Sequence, residues 1–179
     1  IRSAAALDET LFETLLEDQI QIATHADWDP KSGRFVAEQQ QRIGALIVKR
    51  KKLEQIPLQA KAEALIAIIR KQGFKLLGWN SEHDQWCGRV MLLRQHDQQH
   101  DWPDVSHQQL MSSLEQWLMP YLDDINSLQG LKKLDPGAIF ENHLPWTLHQ
   151  RLNELAPKRL KVPSGATHKI DYNQSPPVL

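Results

Sequence analysis

The sequence predicts an α+β fold in which a short β segment at each end flanks a helix-rich middle. Three observations predict it. Near the start, a period of two takes over after a short helical pattern, with Ile20 and Ile22 alternating with polar neighbours. The middle carries apolar residues at helical spacing behind recognisable start signals at Pro57, Ser81, Ser106, Asp135 and Pro145. Near the end, the strand-like stretches 159–163 and 167–172 flank Ser164-Gly165-Ala166, which reads as a hairpin. The chain therefore divides into residues 1–56 (a helix plus strands), 57–157 (helices) and 158–179 (the start of a β-sheet subdomain).

Each element has a local reason. Asp8 can cap a helix carrying Leu11, Phe12, Leu15 and Leu16, and acids in its first turn suit the positive end of the helix dipole. Residues 29–33, Asp-Pro-Lys-Ser-Gly, have turn chemistry, and 34–53 is long enough for one bent strand or two shorter ones, with Gly44 as the bulge or bend. Pro57 opens a helix to about residue 72 that buries Ala64, Leu65, Ile68 and Ile69 and stops at Gly73. Ser81 starts the next, carrying Trp86, Val90, Leu92 and Leu93. Ser106 and Gln109 form a capping box for a helix over 108–119, which Pro120 ends or kinks. Asp135-Pro136 and Pro145 open two more. In the last, Trp146, Leu148, Leu152 and Leu155 are expected to form one buried face.

With 179 residues, 41% hydrophobic and 24% charged, the chain has the composition of an ordinary globular protein. A chain of this length removes about 70% of its unfolded surface from water and needs no disulfide or metal to hold it. The single cysteine, Cys87, fits a reducing compartment. The longest apolar run, 64–69, is far short of the ~20 residues of a membrane span, and no signal segment opens the chain, so a cytoplasmic protein is expected. The chain begins at Ile1 and stops on Pro176-Pro177-Val178-Leu179, so both ends read as cut.

A formal net charge of -1 hides a strong sorting of charge. Between Asp8 and Asp29 there are seven acids and no Lys or Arg. Between Arg42 and Lys75 nine bases face only Glu54 and Glu63. Six acids and no Lys or Arg follow between Asp97 and Asn126. The sharpest feature is Lys49-Arg50-Lys51-Lys52, which is either a solvated strand end or an edge that contacts phosphates.

The common catalytic signatures are absent. There is no Gly-rich loop ending in Gly-Lys-Ser/Thr, no G-x-G-x-x-G and no G-x-S-x-G, so catalysis by this chain is not expected. His96 and His100 stand four apart, as do His83 and Cys87, but spacing fixes no third ligand and no metal is assigned. Cys87 reads as a small core residue. Trp86, Trp117 and Trp146 are in step with apolar helical neighbours and read as core. Trp28, Trp79 and Trp102 flank turns, where an aromatic ring either stacks on a base or pins a loop.

The run LPWTLHQRLNELAPKRLKVPSGATHKIDY, residues 144–172, resembles the corresponding stretch of the HrpB family of bacterial DEAH-box ATP-dependent RNA helicases. WPDVS at 102–106, LEQWLMPYL at 114–122 and RIGALIV at 42–48 are similar to that family in order and spacing. The resemblance implies a parent protein with two RecA-like domains that use ATP and Mg. Winged-helix, helix-bundle and oligonucleotide-binding-fold parts and a C-terminal extension follow them. On that basis residues 1–56 would follow the oligonucleotide-binding fold and 57–157 would form the helical extension. None of the family's catalytic residues maps onto this chain.

Two functions follow as expectations. The first is an accessory region of a helicase, packing on the motor and contacting single-stranded RNA through Lys49, Arg50, Lys51, Lys52, Lys61, Arg70 and Lys71. Four simultaneous phosphate contacts would give a salt slope near ~-3, roughly a fifty-fold loss of affinity between about 50 and 200 mM salt. The second is a protein–protein interaction module that recruits a partner to the helicase.

Overall fold

The computed structural model describes residues 15–29, 31–32 and 34–179. The helix expected from Asp8, and most of the first acidic segment, lie outside them. The chain forms two compact units, 1–64 and 65–179. The boundary falls inside the first long helix.

The first unit holds an antiparallel meander of three strands: β1 (Gln21–Asp29), β2 (Arg34–Ile43) and β3 (Leu46–Leu53). The long stretch 34–53 is thus two strands. Gly44, at φ 56, takes a left-handed turn position that disfavours a side chain, and the chain reverses there. A bulge separates the pairs Gln41–Lys49 and Arg42–Ile47. The sheet's apolar centre is small. Ala26 lies opposite Ala37 and Trp28 opposite Phe35, whose rings meet edge to face at 5.0 Å.

The second unit is built mainly from helices. The first, α1 (Leu58–Gln72), crosses the boundary, buries Leu65 and Ile69 and ends at Gly73, as the pattern predicts. A 3-10 turn over Phe74–Leu77 leads to α2 (Ser81–His96). Asn80 caps α2 from one side and His83 from the other: the Asn80 side chain accepts from the Glu82 N–H, and the Asn80 N–H donates to His83 Nδ1.

The helix expected over 108–119 is broken. The chain instead forms α3 (His107–Ser112), α4 (Leu114–Trp117) and a 3-10 turn over Met119–Tyr121 that contains Pro120. Ser113 is the break, its hydroxyl donating back to the Gln109 carbonyl at 2.7 Å, a local bond that competes with the helix. Only half of the Ser106 capping box exists, because the Ser106 N–H donates to Asp104 instead of to Gln109. A further short helix that the sequence reading passed over, α5 (Leu128–Lys132), is capped by Ser127. Then come α6 (Pro136–His143), capped by Asp135, and α7 (Trp146–Leu155).

Trp146 is not buried: it is 71% exposed, while Leu152 is buried as expected. At about 100° per residue Trp146 lies ~160° around the helix from Leu148, so the two occupy opposite faces. Leu155 shares the inner face, but at the last turn it is half-exposed. Conversely Trp102, in a loop, is the most buried tryptophan, its indole N–H donating to Asp97 at 3.1 Å. Trp117 is buried, and Trp86 is half-buried and stacks on Phe140 at 5.1 Å. The chain ends in the hairpin of β4 (Arg159–Lys161) and β5 (Thr167–Lys169), followed by a bridge between Asp171 and Val178.

Candidate functional site

Two surfaces carry concentrated chemistry, one in each unit. In the first, β3 presents Lys49, Arg50, Lys51 and Lys52. Strand alternation sends them to opposite sides of the sheet. The register puts Lys49 beside Gln41 and Lys51 beside Gln39, while Arg50 lies beside Gln40 and Lys52 beside Glu38. Arg50 reaches Glu38 at 3.6 Å. Gln40, buried on the same face, donates to Glu38 and accepts from Arg42 Nε at 2.7 Å.

The other predicted bases are distributed differently. Lys61 is buried on α1. Arg70, on the same helix, donates to Glu115 at 2.7 Å, and Lys71 is exposed. The structure therefore groups the four strand residues into two pairs and sets Lys61, Arg70 and Lys71 apart from them on a helix.

The second surface is a cleft of about 520 Å³ between the N-terminal half of α2, the start of α6 and the β4–β5 hairpin. Lys169 closes one side by pairing with Glu82, which holds that carboxyl below its usual range. His83 Nε2 lies 3.6 Å from Asp135 Oδ1 on another side. Arg89 stands at the floor, almost fully buried without a carboxylate partner. Its guanidinium donates to the carbonyls of Ala156 (2.6 Å) and Leu152 (3.2 Å) and to Asn153 Oδ1 (2.7 Å), so it caps the C-terminus of α7, where a cation is favoured. Burial draws its pKa down.

The hairpin is tied to α2 at three points. Asp171 accepts from Gln85 Nε2 at 2.5 Å, and the Tyr172 N–H donates to Gln85 Oε1 at 2.9 Å. The Tyr172 hydroxyl donates to the Pro157 carbonyl at 2.7 Å. Gly88 allows this approach, since a Cβ there would stand 2.5 Å from the Tyr172 carbonyl oxygen. Asp171 also accepts from Asn173 and Gln174, and these bonds hold its carboxyl below the usual range. Ser164 lies exposed in the hairpin turn. The sequence reading missed Gln85, Gly88 and Arg89. Their signal was present: Arg89 stands four residues after Gln85 and four before Leu93, a charge on an inward helical stripe.

No group of three metal-ligating side chains occurs among the described residues. His83 Nδ1 is engaged at the helix cap, burial pushes the Cys87 thiol up to about 12, and His100 binds Asp97 at 2.9 Å beyond the end of α2. No described helix is long and apolar enough to cross a membrane.

The sheet and the helical unit each match a region of one kind of multi-part protein. Residues 19–53, which include all three strands, match the family described as ATP-dependent RNA helicase HrpB, connector region, and residues 117–179 match ATP-dependent helicase C-terminal. Together they account for just over half of the chain. These two matches define a region of a helicase lying outside its motor motifs. The chain belongs to the HrpB family. It is 32% identical to the ATP-dependent RNA helicase HrpB of Escherichia coli K12 over 161 residues, 89% of this chain and 20% of that protein. The crystal structure of the E. coli DExH-box NTPase HrpB superimposes with a TM-score of 0.69 at 29% identity, covering 96% of this chain and 21% of that one. That of the E. coli DEAH/RHA helicase HrpB gives 0.68 at 31%, covering 89% and 20%. The chain thus spans about a fifth of the length of the relatives it matches.

Proposed function

We propose that the chain is the accessory, C-terminal part of an ATP-dependent RNA helicase that works in the cytoplasm, packing on the motor and contacting single-stranded RNA. Membership of the HrpB family supports the helicase context. The observation that carries the RNA contact is β3, whose four consecutive bases stand exposed on a sheet strand. Exposed Lys and Arg neutralise phosphates and release counterions, which gives affinity without sequence preference. ATP and Mg are assigned to the four-fifths of the longer relatives that this chain does not span, since no phosphate loop occurs in it. Fluorescence anisotropy with a labelled single-stranded RNA tests the reading. Binding at low salt that weakens steeply between about 50 and 200 mM supports it, and absence of binding at about 50 mM overturns it.

A second reading, recruitment of a protein partner, is favoured by one observation: Trp146 stands exposed on α7, its ring parallel to His149. Exposed tryptophans are enriched among residues that anchor interfaces. A Trp146→Ala variant that binds RNA normally but fails to associate with the separately expressed motor part would favour this reading.

A further inference from the structure

The three strands of the first unit contain three carboxylates, Asp27, Asp29 and Glu38. The pairing register places all three on one side of the sheet. Glu38 lies between His25 and Lys52, Asp27 is opposite Val36, and Asp29 is opposite Arg34. Arg50 and Lys52 share that side, which also holds a groove of about 590 Å³. Their positive charge is therefore offset locally, and Arg50 is directly engaged by Glu38.

The opposite side differs. Two successive cross-strand rows, Ile22–Gln41–Lys49 and Thr24–Gln39–Lys51, combine both lysines with three amide or hydroxyl side chains and no strand carboxylate. Lys49, Lys51, Ile22 and Thr24 are all exposed. The rows lie two residues apart along the strands, about 7 Å, which is of the order of the step between neighbouring phosphates in an extended single strand. Each row offers a cation for a phosphate oxygen and amide or hydroxyl donors for a ribose or a second oxygen.

We infer that the RNA contact is one-sided: a single strand lies on the Lys49/Lys51 side of the sheet, with Gln39, Gln41 and Thr24 as neutral hydrogen-bonding partners. The Arg50/Lys52 side takes no phosphate. This rests on the RNA-binding reading above and narrows it. Two phosphate contacts in place of four lower the salt slope to about -1.4, so affinity falls roughly seven-fold between about 50 and 200 mM salt.

The test compares two double variants of the full chain that remove the same charge, Lys49→Gln/Lys51→Gln and Arg50→Gln/Lys52→Gln, with a fluorescein-labelled uridine 20-mer as probe. Equal changes in net charge cancel any general electrostatic effect, and matching thermal melts establish that both are folded. The expected result is at least a ten-fold loss for the first variant with a flattened salt dependence, and less than a three-fold loss for the second. An equal or larger loss in the Arg50/Lys52 variant overturns the one-sided contact and leaves RNA binding itself standing. A wild-type chain that fails to bind the 20-mer at about 50 mM salt overturns both.

Discussion

Single residues in the second unit separate structural from surface roles. Gly88 admits the Tyr172 backbone, and the obstacle to a larger side chain is a carbonyl oxygen that cannot swing aside. Gly88→Ala is expected to lower stability by about 3 kcal/mol, the upper end for overpacking, measured by denaturant unfolding. Arg89 satisfies two carbonyls and a side-chain amide in a site that water does not reach. Arg89→Ala is expected to cost about 3 kcal/mol, and Arg89→Lys to recover little, because one ammonium cannot reproduce the guanidinium fork. Trp146 behaves oppositely. With its ring in solvent, Trp146→Ala is expected to change the unfolding free energy by less than about 0.5 kcal/mol, against the larger loss that a core tryptophan would show. Sequence periodicity contained that outcome, since Trp146 is two residues before Leu148. The Pro145-Trp146 start signal outweighed it in the reading because tryptophan is so often buried.

At the level of elements, the β4–β5 hairpin is too small to be stable alone and depends on its ties to α2. Asp171 is the hub, and its carboxyl is held below the usual range first by Gln174 and Gln85 and then by the Asn173 amide. A depressed folded pKa means that the stabilising contribution is complete above about pH 4 and is lost as pH falls through the lower folded value. Asp171→Asn should therefore flatten the acid limb of a stability–pH curve below about pH 4 and leave the neutral region less affected in shape. The strands, the hairpin and the helices opened by Pro57, Ser81, Asp135 and Pro145 were legible because each has a period and a start signal. The break at Ser113 and the short α5 were not, since one side-chain bond or one cap decides an element of only a few residues.

For the whole molecule, the sorting of charge along the chain survives in the fold in altered form. The basic run is present, but alternation divides it between two sides of the sheet, and the acids of the neighbouring strands fall on one of them. Isothermal calorimetry with ATP and Mg is expected to give no saturable heat, because the chain lacks a phosphate loop to present backbone amides and a lysine to the phosphates. Micromolar binding would overturn the assignment of ATP to the rest of the helicase.

The sequence by itself determined the α+β class, the location of the strands and main helices, the absence of a nucleotide-binding motif and the resemblance to the HrpB family. All of these are local or ordered along the chain. Tertiary structure alone decided that Lys61 is buried, that Arg70 meets Glu115, that Arg89 caps α7, and that Gln85 and Gly88 receive the hairpin. It also decided which face of the sheet carries the carboxylates. The physical reason is common to these cases: each contact joins residues remote in sequence, and neither periodicity nor charge count along a chain encodes which neighbour the fold will bring alongside.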